Sequence, residues 1–468
     1  MWTALVITIL TLVAAELLKV VSGKYYNTLH TAVWQEALLA AESGIDLGVM
    51  ELRKSLFPAP NNAWNGWTTS EDASGTRRGL TVIPNAGLAG TPMTVEVAVD
   101  SPPTLRDASN GWQYHRIRTV GTMPITGPAR ANDNKQDTRL RKLSLRFDRF
   151  NDGSVTSPEL ASPRVSRRIE AIVRPVSAFD QAIVAQGALD LNDLDIIIDS
   201  YDSRDPNKST NGLYDVSKRQ ENGSIATNGN LINAGNAHVY GDVATNSGTV
   251  TGVANVSGIE RTDFYQEPIP VGAPNWSSIN PSPMVVTKTT NLAASATEGS
   301  AASRYVLSGI TLAGTQTLTF TGNPQGTTTY IEIYVTGDVS ATGNAQIILQ
   351  PGVKAKLYFG GNVAIAGNGV VNTNNQPGDL LMYGITPTNT STSRTFNLGG
   401  NSLLSAAVYA PHYDVQINNG GTRGSVFGSF VGKTVRMTGV TDLHYDEALG
   451  AGGTINNYKI VSWFEDTR

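Results

Sequence analysis

The sequence predicts a mainly β chain with one long N-terminal α-helix: the helix leads into a small β domain, and a β-solenoid, a β-helix-like stack of short coils, follows. Three observations predict this. The chain opens on an apolar run that continues without a proline or a glycine pair as far as Phe57-Pro58-Ala59-Pro60. Beyond that stop, 47 glycines stand among abundant Asn, Thr and Ser, a composition of tight turns rather than of helices. Short alternating stretches closed by Gly-Asn or Gly-Asp then recur through the second half.

The first element is a helix over residues 1–57, a rod of roughly 85 Å at 1.5 Å per residue. Its second half places Ala37, Leu38, Ala41, Ile45, Leu47, Val49 and Leu52 among Glu36, Glu42, Asp46 and Glu51, the pattern of a helix lying on its own domain. The first half differs. "ALVITILTLVAAELLKVV" (4–21) is apolar nearly all round, yet it holds Glu16 and Lys19, three apart and able to pair on one face. A spanning segment needs about 20 predominantly apolar residues, so a purely lipid role buries both charges. A cleaved signal peptide fits poorly, because no basic stretch precedes the run and no small-residue site ends it.

Residues 58–176 read as a small β domain. "MTVEVAVDS" (93–101), "WQYHRIRTVGTM" (112–123) and "SRRIEAIVRPV" (166–176) alternate as strands of one sheet, with 128–163 a polar, proline-bounded insertion between them. From 177 to 449 the turn-rich texture sets in, at "TNGNLINAGNAHVYGDVATNSGTVTGVANVSG" (227–258), at 334–373 and at 399–439. Each coil of such a stack buries its inward residues only against the next. Val339, Ala345, Ile347, Leu357, Val363, Ile365 and Val371 are the expected inward residues, and Asn344, Asn362, Asn368 and Asn401 the corners. A proline-rich surface excursion is expected over about 259–305. Residues 450–468 close the chain with a strand, "NNYKIVSWFEDTR", that returns to the earlier sheet.

Composition excludes several functions. A net charge of −4 with only 16% charged residues leaves no nucleic-acid-binding surface. The absence of cysteine removes disulfides, thiolate metal sites and cysteine nucleophiles. His30, His115, His238, His412 and His444 are scattered without metal or triad spacing, and no G-x-S-x-G elbow occurs. One acidic cluster remains: Asp190, Asp193, Asp195, Asp199, Asp202 and Asp205. Its Asp-Ser-Asn texture suits loop capping. Asp199, Asp202, Asp205 and Asp215 are alternatively oxygen ligands for calcium, at a spacing unlike an EF-hand loop. Paired carboxylates for glycan cleavage, as in solenoid polysaccharide-active enzymes, are the third alternative.

The helix ending in "LLAAESGIDLGV", the phrase "DSYDSRDP" (199–206) and the closing "HYDEAL" (444–449), in that order, resemble a kind of type IV pilus assembly protein: a pilin-like chain whose C-terminal part is a β-solenoid. The resemblance implies a precursor with a short basic leader, held in the inner membrane by the apolar helix, then extracted by pilus assembly machinery into an extracellular filament cored by those helices. Met1 then stands where the first residue after leader removal stands. Pilins usually carry glutamate at the fifth mature position, where this chain has Leu5; pilin-like assembly proteins of this kind often lack it.

A helix with two environments, lipid first and a protein bundle later, accommodates Glu16 and Lys19 by pairing with neighbours. The expected partner is therefore the chain itself, as a helical homopolymer assembled through Leu5, Ile9, Leu10, Leu12, Val13, Glu16, Leu17, Lys19 and Val20. A structural subunit is the leading expectation. A minor or tip subunit acting as adhesin or primer is second, and a membrane-anchored β-helix enzyme third. No cofactor beyond calcium is expected.

Overall fold

The computed structural model describes residues 2–57, 61–70, 75–83, 92–108, 112–125, 164–191, 196–252, 255–276, 284–323, 326–366, 369–389, 393–399 and 404–466, apart from the side chains of 2–4 and 419–423. The chain is mainly β with one long N-terminal helix, and it divides into two compact units. The first comprises Met1–Ser55, Asn61–Pro175 and Tyr458–Arg468; the second comprises Leu56–Pro60 and Val176–Asn457. The expected insertion at 128–163 and the corners Asn368 and Asn401 lie outside the described residues.

In the first unit, helix α1 (Trp2–Lys54) runs unbroken for 53 residues. Val33, Ala37, Ala40, Ala41, Ile45, Val49 and Leu52 recur at three- and four-residue steps and are buried. They face an antiparallel sheet ordered β1 (Thr68–Thr69), β2 (Arg77–Ile83), β3 (Met93–Asp100), β4 (His115–Pro124), β5 (Arg164–Ser177) and the terminal strand Ile455–Asp466. Three of these segments alternate visibly in the sequence. β2 does not: Leu80 and Val82, two apart on one face, are both exposed, and the strand lies near the sheet's margin. Glycines let the helix sit down on β3 and β4. A Cβ on Gly121 would stand 2.2 Å from the Ala37 carbonyl oxygen, and one on Gly44 would stand 2.8 Å from the Thr119 and Val95 methyls. Beside them the Thr119 hydroxyl donates to the Ala41 carbonyl at 2.7 Å.

The second unit is built from parallel ladders among its described strands. The pairing gives stacked parallel strands rather than a clearly defined β-solenoid. Val306, Tyr334, Tyr358, Tyr383 and Tyr409 stand on successive strands at uneven chain intervals. The chain also enters its stack in the middle. Strands from Met284 to Gly399 stack in sequence order up to the run Leu404–Asp446. The far part of that run pairs with the earlier strands Ile183–Ala185, Leu189–Asp190 and Ile197–Tyr201. On those lie Ile225–Thr227, Leu231–Asn233 and His238–Val239, and the ladder closes with Thr249–Thr251 and Glu260–Arg261. Thr290–Ala293, Thr317–Thr321, Gln346–Leu349 and Val370–Asn372 form a second parallel sheet on the same coils.

Side chains follow the strand period of two. Val353, Ala355, Leu357 and Phe359 are buried while Lys354, Lys356 and Tyr358 are not. Val339, Ala345, Ile347, Val363 and Ile365 are likewise inward. At Val371 the register is one residue off: Val370 is the buried residue and Val371 the half-buried one. A slip of one exchanges the faces of a strand, and two adjacent valines give no alternation to fix it. Asn362 is a working corner, its backbone N–H donating to Asp338 at 2.7 Å and its side-chain oxygen accepting from Thr395 N at 3.0 Å.

The excursion is shorter than 259–305, because Glu260–Arg261 and Met284–Val286 both belong to ladders. The intervening chain is fastened along the stack. Gln266 N donates to Asn228 at 2.8 Å, Ile269 N to the Tyr409 hydroxyl at 2.8 Å and Val271 N to Thr386 at 2.9 Å, and the Trp276 ring meets Tyr358 edge-on at 6.1 Å.

Candidate functional site

The first candidate is the amino-terminal half of α1. Leu5, Ile9, Leu10, Leu12, Val13, Leu17 and Val20 are each more than half exposed, a display of apolar surface far beyond scattered surface residues. This half is long and apolar enough to cross a membrane. Its polar groups are quieted locally. The Thr11 hydroxyl lies 3.0 Å from the Ile7 carbonyl and 2.9 Å from that of Thr8, the back-bonding that lets hydroxyls sit in an apolar helix. Lys19 Nζ stands 3.9 Å from Glu16 Oε1, both exposed, so the pair contributes at most about 1 kcal/mol in water.

The second candidate is the acidic stretch, and the structure does not gather its carboxylates into one cluster. Among the described residues no group of three or more His, Cys, Asp or Glu side chains is placed to hold a metal. Asp193 and Asp195 lie outside those residues. Asp202 takes the Arg204 guanidinium in a two-pronged contact at 3.0 Å; burial alone would raise its pKa, but the Arg204 hydrogen bonds and charge outweigh that and lower it. Asp205 accepts from Asn207 N at 2.8 Å. Asp215 caps the short 3-10 turn Val216–Lys218, accepting from the Ser217 hydroxyl and N–H and from Thr210. Those hydrogen bonds, Ser217's first, hold its carboxyl down at about 2. These three serve their own loop.

Asp199 is different. It is buried, and its two oxygens are taken by His444 Nδ1 at 2.6 Å and by the Tyr214 hydroxyl at 2.7 Å. The Tyr214 ring stacks on His444 with centroids 3.7 Å apart, and Phe427 lies 5.2 Å from the imidazole. Burial, then the Asp199 hydrogen bond, pushes the Tyr214 hydroxyl's pKa up. The segments carrying these residues are "DSYDSRDP" and "HYDEAL", paired in parallel with His444 opposite Asp199 and Asp446 opposite Tyr201. Further bonds cross the same junction. Asp442 accepts from Ile197 N at 3.2 Å and Asp446 from Ser203 N at 3.0 Å. Glu447 accepts from Ser200, Asn222 and Lys208 at 2.9, 2.7 and 2.9 Å. Burial raises the Asp446 pKa against the pull of its hydrogen bonds from Ser203 and Ala448.

This knot sits where the two runs of the parallel stack meet, and its chemistry is that of a staple. Sequence spacing separates Asp199 from His444 by 245 residues, so no local pattern joins them. Their only shared signal is that both phrases lie in stretches singled out for resemblance.

Residues 287–451 match the family described as "Domain of unknown function (DUF7305)". No curated protein and no solved structure matches the chain. The matched stretch runs from the re-entry into the stack through the His444 strand. A long apolar N-terminal helix followed by a mainly β body fits a pilin-like layout.

Proposed function

We propose that the protein is a structural subunit of an extracellular type IV pilus-like filament, assembled as a homopolymer through its amino-terminal helix, with the stacked parallel unit, read as an irregular β-solenoid, exposed on the outside. One observation carries this reading: a single unbroken helix is buried on its own sheet from Val33 onward and bare and apolar from Leu5 to Val21. Each Leu or Ile withdrawn from water contributes roughly 1.5–3 kcal/mol, so so large a bare stretch calls for a cover. In the inner membrane, before assembly by the pilus machinery, that cover is lipid; afterwards it is the same helix of other copies, related by an operator that does not close. Glu16 then meets a neighbour's Lys19 or terminal amine.

The protein acts without catalysis on this reading, and the Asp199–His444 knot belongs to its architecture. A minor or tip subunit acting as adhesin or assembly primer is the second reading. Helical reconstruction of the native assembly tests the first: α1 helices are expected in the core, and a core without them overturns it. Leu10→Asp or Leu12→Asp should abolish filaments and leave the melting of the second unit unchanged, while Glu16→Gln should weaken assembly. Counting copies per filament by quantitative mass spectrometry separates the two readings, since a tip subunit is present in a few copies and a main subunit in many.

A further inference from the structure

Among the described residues the terminal strand Ile455–Asp466 is the last strand of the first unit's sheet, hydrogen-bonded to β5 on one side and with no described strand on the other. A strand with one covered face shows alternate residues to solvent. Here six in succession, Lys459 to Phe464, are exposed, among them Ile460, Val461, Trp463 and Phe464, each at least 40% exposed. An open edge with apolar groups on both faces is a template for another strand.

The order of residues says which strand. "KIVSWFE" (459–465) is a palindrome in chemistry about Ser462. Laid antiparallel against a second copy of itself with Ser462 facing Ser462, it sets Lys459 opposite Glu465, Ile460 opposite Phe464 and Val461 opposite Trp463, and each pair occurs twice. Opposite charges and aromatic–β-branched pairs directly across an antiparallel ladder are the favourable combinations. A shift of two residues in either direction breaks both charge pairs. Glu465 is paired with Arg167 of β5 in its own sheet, so in the dimer Lys459 of the second copy joins an existing ion pair.

We propose that two copies of this chain join by antiparallel pairing of their terminal strands across a two-fold axis at Ser462. The contact is isologous and closed, unlike the open operator of the helix core, so it links one copy to one other. Where both contacts operate, it ties two filaments side by side. The inference does not rest on the filament reading, since it uses a different surface.

The chain contains no cysteine, which makes the test direct. Full-length Ser462→Cys, in mild detergent, is treated with a short bis-maleimide. A covalent dimer is expected, and it should persist when Leu10→Asp is added to dissolve the helix core. Lys459→Glu in the Ser462→Cys background, which sets like charges opposite, should lose the dimer, whereas Lys459→Arg should keep it. Leu80→Cys, an exposed position on β2 across the sheet, is the control and should give none. No dimer from Ser462→Cys overturns the proposal, as does a dimer insensitive to Lys459→Glu or equally abundant with Leu80→Cys. A dimer lost on adding Leu10→Asp also overturns it, because the helices would then be holding the copies together.

Discussion

His444 Nδ1 lies 2.6 Å from Asp199 Oδ1 inside the protein, and the two residues belong to strands from opposite ends of the second unit's sequence. Removing either partner strands the other. Asp199→Ala leaves both the imidazole and the Tyr214 hydroxyl without their acceptor, at about 1–3 kcal/mol for each orphaned group. We expect a correspondingly lower denaturation midpoint for the second unit, and a cycle with His444→Ala in which the double variant loses less than the two single losses added. Strict additivity would show that the contact contributes nothing of its own.

Acid should weaken the first unit in a defined window. Burial pushes the His115 pKa down from 6.5 to about 4, where its ring accepts or donates one bond with Ser101 at 2.8 Å and meets Tyr458 edge-on. The folded state keeps the ring neutral, while the unfolded chain binds a proton below 6.5. Stability present above pH 6.5 is therefore lost as the pH falls toward 4, by up to about 3 kcal/mol. Urea titrations at pH 7 and pH 4.5 measure the loss, and His115→Gln should flatten it. The lowered carboxyls of Asp202 and Asp215 act only at still lower pH, below their ordinary 3.8, and Asp446, raised by burial, acts in the opposite sense.

Gly121 is a close-approach glycine. Its Cβ would fall 2.2 Å from Ala37 O and 2.5 Å from Ala41 N, so Gly121→Ala must lift the helix off the sheet. Overpacking of this kind costs about 1–3 kcal/mol or more. The melting transition of the first unit should drop while that of the second stays in place, readable by calorimetry on the full chain.

Chelation addresses the four aspartates. With Asp199, Asp202, Asp205 and Asp215 each engaged by protein donors, excess EDTA should leave the melting temperature of the second unit where it is, and added calcium should not raise it. A reversible, calcium-restored drop would instead assign these carboxylates to a metal.

The helix and three strands of the first sheet were legible because their signals are local: a long run without breakers, and alternation at period two at 93–101, 112–123 and 166–176. Inward residues of the second unit were legible wherever polar neighbours bracket them, as at Leu357, and slipped where they do not, as at Val370 and Val371. The order of stacking left no such trace. Which strand lies on Ile197–Tyr201 depends on side chains 245 residues away, and the acidic residues around it look alike in sequence although, among the described ones, only Asp199 is buried against a histidine. The strand β2 was missed because its exposed margin, with Leu80 and Val82 both facing water, defeats the apolar-in rule.

The stack that begins in its own middle bears on synthesis. Residues 183–201 leave the ribosome with one flank of their ladder unoccupied, and the strand that completes it, 430–446, is made nearly last. Everything between must be held without its final neighbour, and sequence-distant contacts of this kind slow folding. An exposed parallel edge kept open for that interval invites wrong pairing with other nascent chains. Of the strap's bonds, Gln266 to Asn228 can form early, whereas Ile269 to Tyr409 waits until residue 409 is made, so the strap is fastened in two stages. A chain truncated anywhere before Asp446 should consequently forfeit the earlier coils together with the missing ones.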